Sequence, residues 1–372
     1  MNATRAIDLE DTDRLLAADR EGLLRAASSA GAQVRAVTAA AEEGALDSLR
    51  AEDRPRSIIW VAGRGTAETA GTLLAATLSG AASAPIALAS DAPPWIGPLD
   101  VLIVAGDDPG DPALVGAAAM GVRRGARVVI VAPYEGPLRD STAGRAAVLE
   151  PRLWVRDEFG LSRYLAAGLA ALQTVDPGLS IDLALLADEL DAEALRNSAG
   201  RELFTNPAKT IAARMAGRGV ALAGDCAATL ALAQHGSSVL LRLAHEVVAA
   251  TGLADAVVAL RAAAESGSGV SAASSVDALF HDEEIDGPLP ERLRVLALTL
   301  AEERTVVAAR VAGLGDVDLV AAEDVPDAPD TSNGVAAGGL PARTGAGSAE
   351  QQLAVLAVRL EMAAVYLGLV RG

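Results

Sequence analysis

A chain of 372 residues, 51% of them hydrophobic, can bury the cores of two domains. Its formal net charge of -18 argues against a nucleic-acid partner, since phosphate binding needs clustered lysine and arginine. No stretch approaches the roughly 20 uncharged apolar residues that span a bilayer, and Met1 to Arg20 is too polar for a signal peptide, so a cytoplasmic chain with no membrane partner is expected. The single cysteine, Cys226, excludes an internal disulfide, and three histidines are too few for a Cys/His metal cluster, so neither metal nor cofactor is expected.

In chain order, the first fifty residues read as helices, with Leu15, Leu16, Leu23 and Leu24 on one apolar face. The period changes after Pro55. Ser57 to Ala62, Ile86 to Ala89, Asp100 to Ala105 and Arg127 to Ala132 are short Val/Ile-rich strands, alternating with helices at Thr66 to Leu78 and Pro112 to Arg124. Such alternation predicts a parallel sheet covered on both faces. From Phe159 to Asn197 the pattern is helical, broken at Pro177-Gly178, and reads as a long connection over the sheet.

The alternation then resumes more faintly, with a strand at Gly219 to Ala223 and helices at Cys226 to Gln234 and Val239 to Ala250. Glu265 to Ser275 reads as a loop, Arg294 to Leu298 and Val317 to Ala321 as strands, and Glu302 to Val311 as a helix between them. Residues 323–347, rich in proline and glycine, read as a mobile loop. The final helix, Ser348 to Val370, is apolar around more than one face, which suggests cover by its own domain and by a second subunit. The only lysine, Lys209, lies in Asn206-Pro207-Ala208-Lys209, where Asn206 caps a new helix and Pro207 takes its first position. The division is accordingly into 1–200, with the N-terminal helices and the first α/β lobe, and 201–372, with the second lobe, the loop and the last helix.

Two α/β lobes, the Asn206-Pro207-Ala208-Lys209 start, and the ending Val365-Tyr366-Leu367-Gly368-Leu369-Val370-Arg371-Gly372 together resemble the bifunctional phosphoglucose/phosphomannose isomerase family, whose members carry two sugar isomerase (SIS) domains. The similarity runs from about Ser57 onward, and Asn206 to Lys209 is its one specific segment. It implies two doubly wound parallel-sheet lobes with a helical connection and a C-terminal helix, a small sugar-phosphate-like ligand, and a homodimer. The family's glycine-rich turn after the first strand corresponds to Gly63-Arg64-Gly65-Thr66, where backbone amides would approach an anion. The same glycines also suit a tight strand-to-helix turn.

The departures from the family pattern are as informative. Where members carry a hydroxyl-rich phosphate loop, this chain has Ala105-Gly106-Asp107-Asp108-Pro109-Gly110-Asp111-Pro112, which sets carboxylates where a dianion would sit. Phe159 stands at the position of the family's arginine, with Arg156 and Arg163 nearby as substitutes or as ordinary helix-flanking charges. The position of the family's base falls on Glu246, beside His245, but the ring-opening histidine is absent from Val258 to Ala264, where Ala262 stands instead. His235 reads as a residue at a helix end, His281 as part of an acidic loop, and Cys226 as a small buried residue.

These features predict an isomerase-like sugar-phosphate protein with degenerate catalysis, acting in carbohydrate-derivative binding or regulation. Its ligand would lie near Gly63, Arg64, Gly65, Thr66, Asp107, Asp108, Arg156 and Lys209. The alternative is an active aldose-ketose isomerase on a hexose phosphate with Glu246 as its base.

Overall fold

Alternation within the strands decides the layering. The computed structural model describes residues 7–265, 293–323 and 347–371. Its first sheet holds β1 (Ser57–Ala62), β2 (Ile86–Ala89), β3 (Asp100–Ala105), β4 (Arg127–Val131) and β5 (Ala147–Val148), all parallel, in the order β2-β1-β3-β4-β5. The second holds β6 (Val220–Gly224), β7 (Ala249–Gly252), β8 (Arg294–Thr299) and β9 (Val317–Ala321), also parallel, in the order β7-β6-β8-β9. Successive side chains point to opposite faces. Ile58, Trp60, Val101 and Ile103 therefore face the middle of the molecule, while Ile59, Val61, Leu102 and Val104 face out.

The described helices are α1 (Thr12–Ala18), α2 (Leu23–Ala27), α3 (Ala30–Glu42), α4 (Thr66–Leu78), α5 (Pro112–Arg124), α6 (Gly136–Thr142), α7 (Leu161–Val175), α8 (Leu183–Arg196), α9 (Pro207–Met215), α10 (Ala227–Ala244), α11 (Leu253–Glu265), α12 (Arg304–Val311) and α13 (Ala349–Arg371). α5 and α6 cover the outer face of the first sheet, and α11 and α12 that of the second. Between the sheets, α3, α4, α7, α8, α9, α10 and α13 form one continuous core that includes Trp60 from one sheet and Leu222 and Leu296 from the other. The expectation of two parallel-sheet α/β lobes, a helical connection and a C-terminal helix is met.

Two glycines explain the tight middle layer. A Cβ on Gly71 of α4 would lie 2.4 Å from the Trp60 ring, and one on Gly168 of α7 would lie 2.2 Å from Leu74 Cδ1 and 2.9 Å from Trp60 Cζ3. Trp60 Nε1 donates to the Ala67 carbonyl at 3.0 Å, so the indole is satisfied inside this core.

α13 is buried along nearly its whole circumference by α8, α9 and α10 of the same chain. Its length and mean hydropathy of 2.0 would pass for a membrane span, yet 89% of that window is buried within the fold. This corrects the expectation that a second subunit covers one of its sides. A buried polar network fixes the helix in place. Arg359 Nε and Nη2 donate to the two Glu193 carboxylate oxygens at 2.7 and 3.2 Å, Arg359 Nη1 donates to the Ala321 carbonyl at 2.7 Å, and Tyr366 Oη donates to the Asn197 carbonyl at 2.6 Å.

The sequence reading differs from the structure in several places. The two helices expected at Cys226 to Gln234 and Val239 to Ala250 are one helix, α10, followed by the strand β7. Gly236 does not break α10. A Cβ there would lie 2.7 Å from Leu222 Cδ1 and 3.1 Å from Leu360 Cδ1, so glycine lets the helix pass close to both β6 and α13. Leu16 is 54% exposed while Leu15 and Leu24 are buried, because α1 ends at Ala18 and the chain restarts at α2 through left-handed Gly22. Of the loops expected at Glu265 to Ser275 and at 323–347, residues 266–275 and 324–346 lie outside the described residues, as does His281.

Candidate functional site

In open parallel sheets, ligands are met at the carboxyl ends of the strands. At the ends of β1 and β3, the Gly63 amide donates to the Ala105 carbonyl at 2.9 Å and the Gly106 amide to the Val131 carbonyl at 3.1 Å, which holds the Gly63-Arg64-Gly65-Thr66 turn beside the acidic loop. Gly65 adopts φ +69, which favours glycine, and opens α4. Arg64 is exposed.

The acidic loop is internally satisfied. Asp111 caps α5, its Oδ1 accepting from the Ala113 amide at 2.8 Å, so the helix N-terminus already holds a carboxylate. Asp108 Oδ1 accepts from the Gly110 amide at 2.8 Å, and Asp107 Oδ1 accepts from Arg163 Nη2 at 2.6 Å. The Arg163 guanidinium lies 4.2 Å above the Tyr164 ring. Burial, with the Asp107 carboxylate adding to it, pushes the Tyr164 hydroxyl well above its ordinary range. Among the described residues, no group of three His, Cys, Asp or Glu side chains is placed to hold a metal.

A cleft of about 190 Å³ lies where α4 of the first lobe meets α10 of the second. Gly65, Thr66, Glu68 and Thr69 line one wall, and Gln234, His235, Ser238 and Arg242 the other. Thr66 Oγ1 donates to the Asp157 carbonyl at 3.1 Å and so ties the start of α4 to the turn before α7. In that turn Glu158, 4% exposed, receives Arg156 Nη2 and Arg242 Nη2, each at 3.1 Å. Arg156 also pairs with Glu21 at 2.5 Å, and Arg242 with both oxygens of Asp157 at 2.9 and 2.8 Å. Burial raises the Asp157 carboxyl, but the hydrogen bonds led by Arg242 outweigh it and hold the group below its ordinary value. Both arginines are thus matched by the protein's own carboxylates.

His235 was expected at a helix end and is instead in the middle of α10, 3% exposed, with Nε2 3.0 Å from Glu361 Oε1 of α13. Burial pushes the Glu361 carboxyl up, and the bond to His235 works against that shift. The signal for this pair was present in the sequence. Ala228, Ala231, Leu232, His235 and Val239 recur at helical spacing on the buried face of α10, but dividing the helix between Gln234 and Val239 hid the stripe.

The remaining sequence candidates lie elsewhere. Lys209 is 1% exposed, and its Nζ donates to the carbonyls of Ala199 and Arg201 at 2.8 Å each, with the Tyr366 ring 5.7 Å away. Burial lowers its pKa from the ordinary value, against the pull of Glu10 and Asp8. Asn206 caps α9 as expected, its Oδ1 accepting from the Lys209 amide at 2.9 Å. Glu246 follows left-handed His245 at the end of α10 and pairs with Arg371 of α13; neither Lys209 nor Glu246 lines the cleft. Cys226 is the N-cap of α10, with Sγ 3.3 Å from Thr229 Oγ1, and Ala262 lies in α11.

No protein-family model and no curated protein sequence matches the chain. Solved structures do. Tagatose-6-phosphate ketose/aldose isomerase from Escherichia coli is 16% identical with a TM-score of 0.62, over 94% of this chain and 92% of that one. The C-terminal domain of glucosamine-fructose-6-phosphate aminotransferase from Francisella tularensis is 10% identical with a TM-score of 0.57, over 94% and 96%. Glucosamine-6-phosphate deaminase from Thermotoga maritima is 10% identical with a TM-score of 0.55, over 94% and 95%. At these identities the likeness establishes a shared fold, so the chain has the two-lobed SIS architecture of these phosphosugar proteins without being singled out as a bifunctional phosphoglucose/phosphomannose isomerase.

Proposed function

We propose that this is a SIS-fold protein that binds a carbohydrate derivative and does not isomerise hexose phosphates. The observation that carries the reading is the self-occupied anion position at the end of β3. Asp111 caps the α5 N-terminus and Asp107 takes Nη2 of Arg163, groups that a phosphate there would need, while Nη1 of Arg163 is buried without a hydrogen-bond partner among the described residues. A phosphate entering beside either carboxylate meets a repulsion of about 1 kcal/mol per close charge pair in water, and about 4 kcal/mol near a protein surface. The proposed base, Glu246, is engaged by Arg371, and the position expected to open the sugar ring is Ala262.

The expected outcome is no turnover of glucose 6-phosphate, mannose 6-phosphate or fructose 6-phosphate above about one ten-thousandth of ordinary enzyme rates. Loss of one positioned acid or donor typically costs a hundredfold to ten-thousandfold, so the lack of several leaves little. Coupled assays on the wild type and on Glu246→Gln measure this. Ordinary turnover abolished by Glu246→Gln would establish the alternative, an active aldose-ketose isomerase.

A further inference from the structure

The α4–α10 cleft sits over a buried histidine–carboxylate pair. Glu361 Oε1 engages His235 Nε2 at 3.0 Å, and both side chains are almost wholly removed from solvent. The imidazole nevertheless lines the cleft, and with Nε2 engaged its remaining polar atom is Nδ1, which has no hydrogen-bond partner among the described residues. Nδ1 is not among the fully buried unpaired atoms, so it is open to the cleft, and a ring fixed from behind by a carboxylate is the arrangement by which an imidazole is oriented toward a ligand.

The surrounding chemistry limits what that ligand is. Ser238 is one turn from His235 on the same helix, Gln234 adjoins it, and Thr69 faces them from α4 with its hydroxyl proton already given to the Gly65 carbonyl at 3.1 Å. These groups accept and donate neutral hydrogen bonds. Glu68 adds a carboxylate with no ion pair among the described residues, whereas Arg242, the one arginine of the lining, is held by Asp157 and Glu158. Among the described lining residues no free cation awaits a phosphate; the exposed Arg64 adjoins Gly65 outside the lining. At about 190 Å³ the space admits one sugar ring and not a nucleotide.

We propose that this cleft binds a monosaccharide-sized polyol without a phosphate group, with Nδ1 of the Glu361-held His235 hydrogen-bonded to a ligand hydroxyl. The proposal rests on the carbohydrate-derivative reading and narrows its ligand class. His235 touches the ligand, and Glu361 positions the ring. Burial favours the protonated form of Glu361, so a glutamine there can still donate to Nε2.

The test uses the full chain with glucose, mannose, fructose and glucitol as probes, beside glucose 6-phosphate and inorganic phosphate. Titration calorimetry and melting temperature are the readouts. At least one unphosphorylated probe should bind saturably at one site, and glucose 6-phosphate no more tightly than glucose. Ser238→Trp fills the cleft from an exposed position on α10. It should keep the melting temperature of the free protein while weakening that probe at least tenfold. His235→Gln should weaken it by about tenfold, the equivalent of one hydrogen bond of about 1.4 kcal/mol, and Glu361→Gln by less.

Absence of binding by every unphosphorylated probe, tighter binding of glucose 6-phosphate than of glucose, or unchanged affinity in Ser238→Trp overturns the proposal. If His235→Gln does not fold, Ser238→Trp decides the site alone. Turnover of glucose 6-phosphate by the wild type would instead overturn the parent reading, and the Ser238→Trp comparison would still judge the cleft.

Discussion

The Lys209 ammonium reaches two backbone carbonyls, those of Ala199 and Arg201, in the segment that joins α8 to α9. A lysine removed from water to this extent has all its favourable contacts inside the chain, so its role is to hold that connection against α9 and the Tyr366 ring of α13. Lys209→Met keeps the volume and the apolar stem but leaves both carbonyls without their donor. It is expected to cost about 1–3 kcal/mol in urea unfolding and to leave affinity for any cleft ligand unchanged. Loss of ligand affinity at undiminished stability would return Lys209 to the binding role that the family resemblance implies. The sequence marked this residue and its Asn206 cap correctly as a helix start, because both are local. Its partners are eight and ten residues upstream, in a segment whose path depends on the packing of α8, and no local pattern encodes that path.

Elements with a strong period were legible, and those whose signal is tertiary were not. Thr66–Leu78, Pro112–Arg124 and the Val/Ile strands were read with their boundaries nearly intact, since period and end signals coincide there. The strand Ala249–Gly252 was missed because Ala-Ala-Thr-Gly has neither alternation nor bulk, and it exists by pairing with β6. Within the last helix, Arg359 and Glu193 of α8 are the pair whose burial could not be foreseen from spacing. Burial pushes the Glu193 carboxyl up, and Arg359 with Arg196 outweighs this and holds it below its ordinary value. A carboxyl depressed in the folded state contributes stability above its unfolded value of about pH 4.5, and that contribution is lost as pH falls through the folded value. Arg359→Leu is therefore expected to cost up to about 3–5 kcal/mol at pH 7, because it takes the two-bond partner from a buried carboxylate and leaves it only Arg196. The deficit relative to wild type should shrink as pH falls below the unfolded value of about 4.5 toward the folded value of Glu193. Denaturant midpoints measured at pH 7 and pH 3.5 check the sign, and a deficit equal at both would mean that the ion pair is not its source.

At the scale of the molecule, one core runs from Trp60 on the first sheet through the middle helices to Leu222 and Leu296 on the second, and α13 lies within it. Leu360 and Leu367, each 1% exposed, are deep in that core, so the apolar breadth that suggested a subunit interface is used up inside a single chain. Any homodimer contact must then use a different surface. Heat should unfold both lobes in one transition, because neither sheet can lose its inner cover without exposing the other's. Leu367→Asp buries an unpaired charge at the centre of this layer and removes a large apolar side chain. It is expected to lower the stability of both lobes together by about 4 kcal/mol or more, with loss of the folded state in place of dissociation into folded monomers. Scanning calorimetry and light scattering on the same samples separate the outcomes. A folded, smaller species in Leu367→Asp would restore the helix as an interface, and two resolved transitions in the wild type would show that the lobes unfold independently despite the shared core.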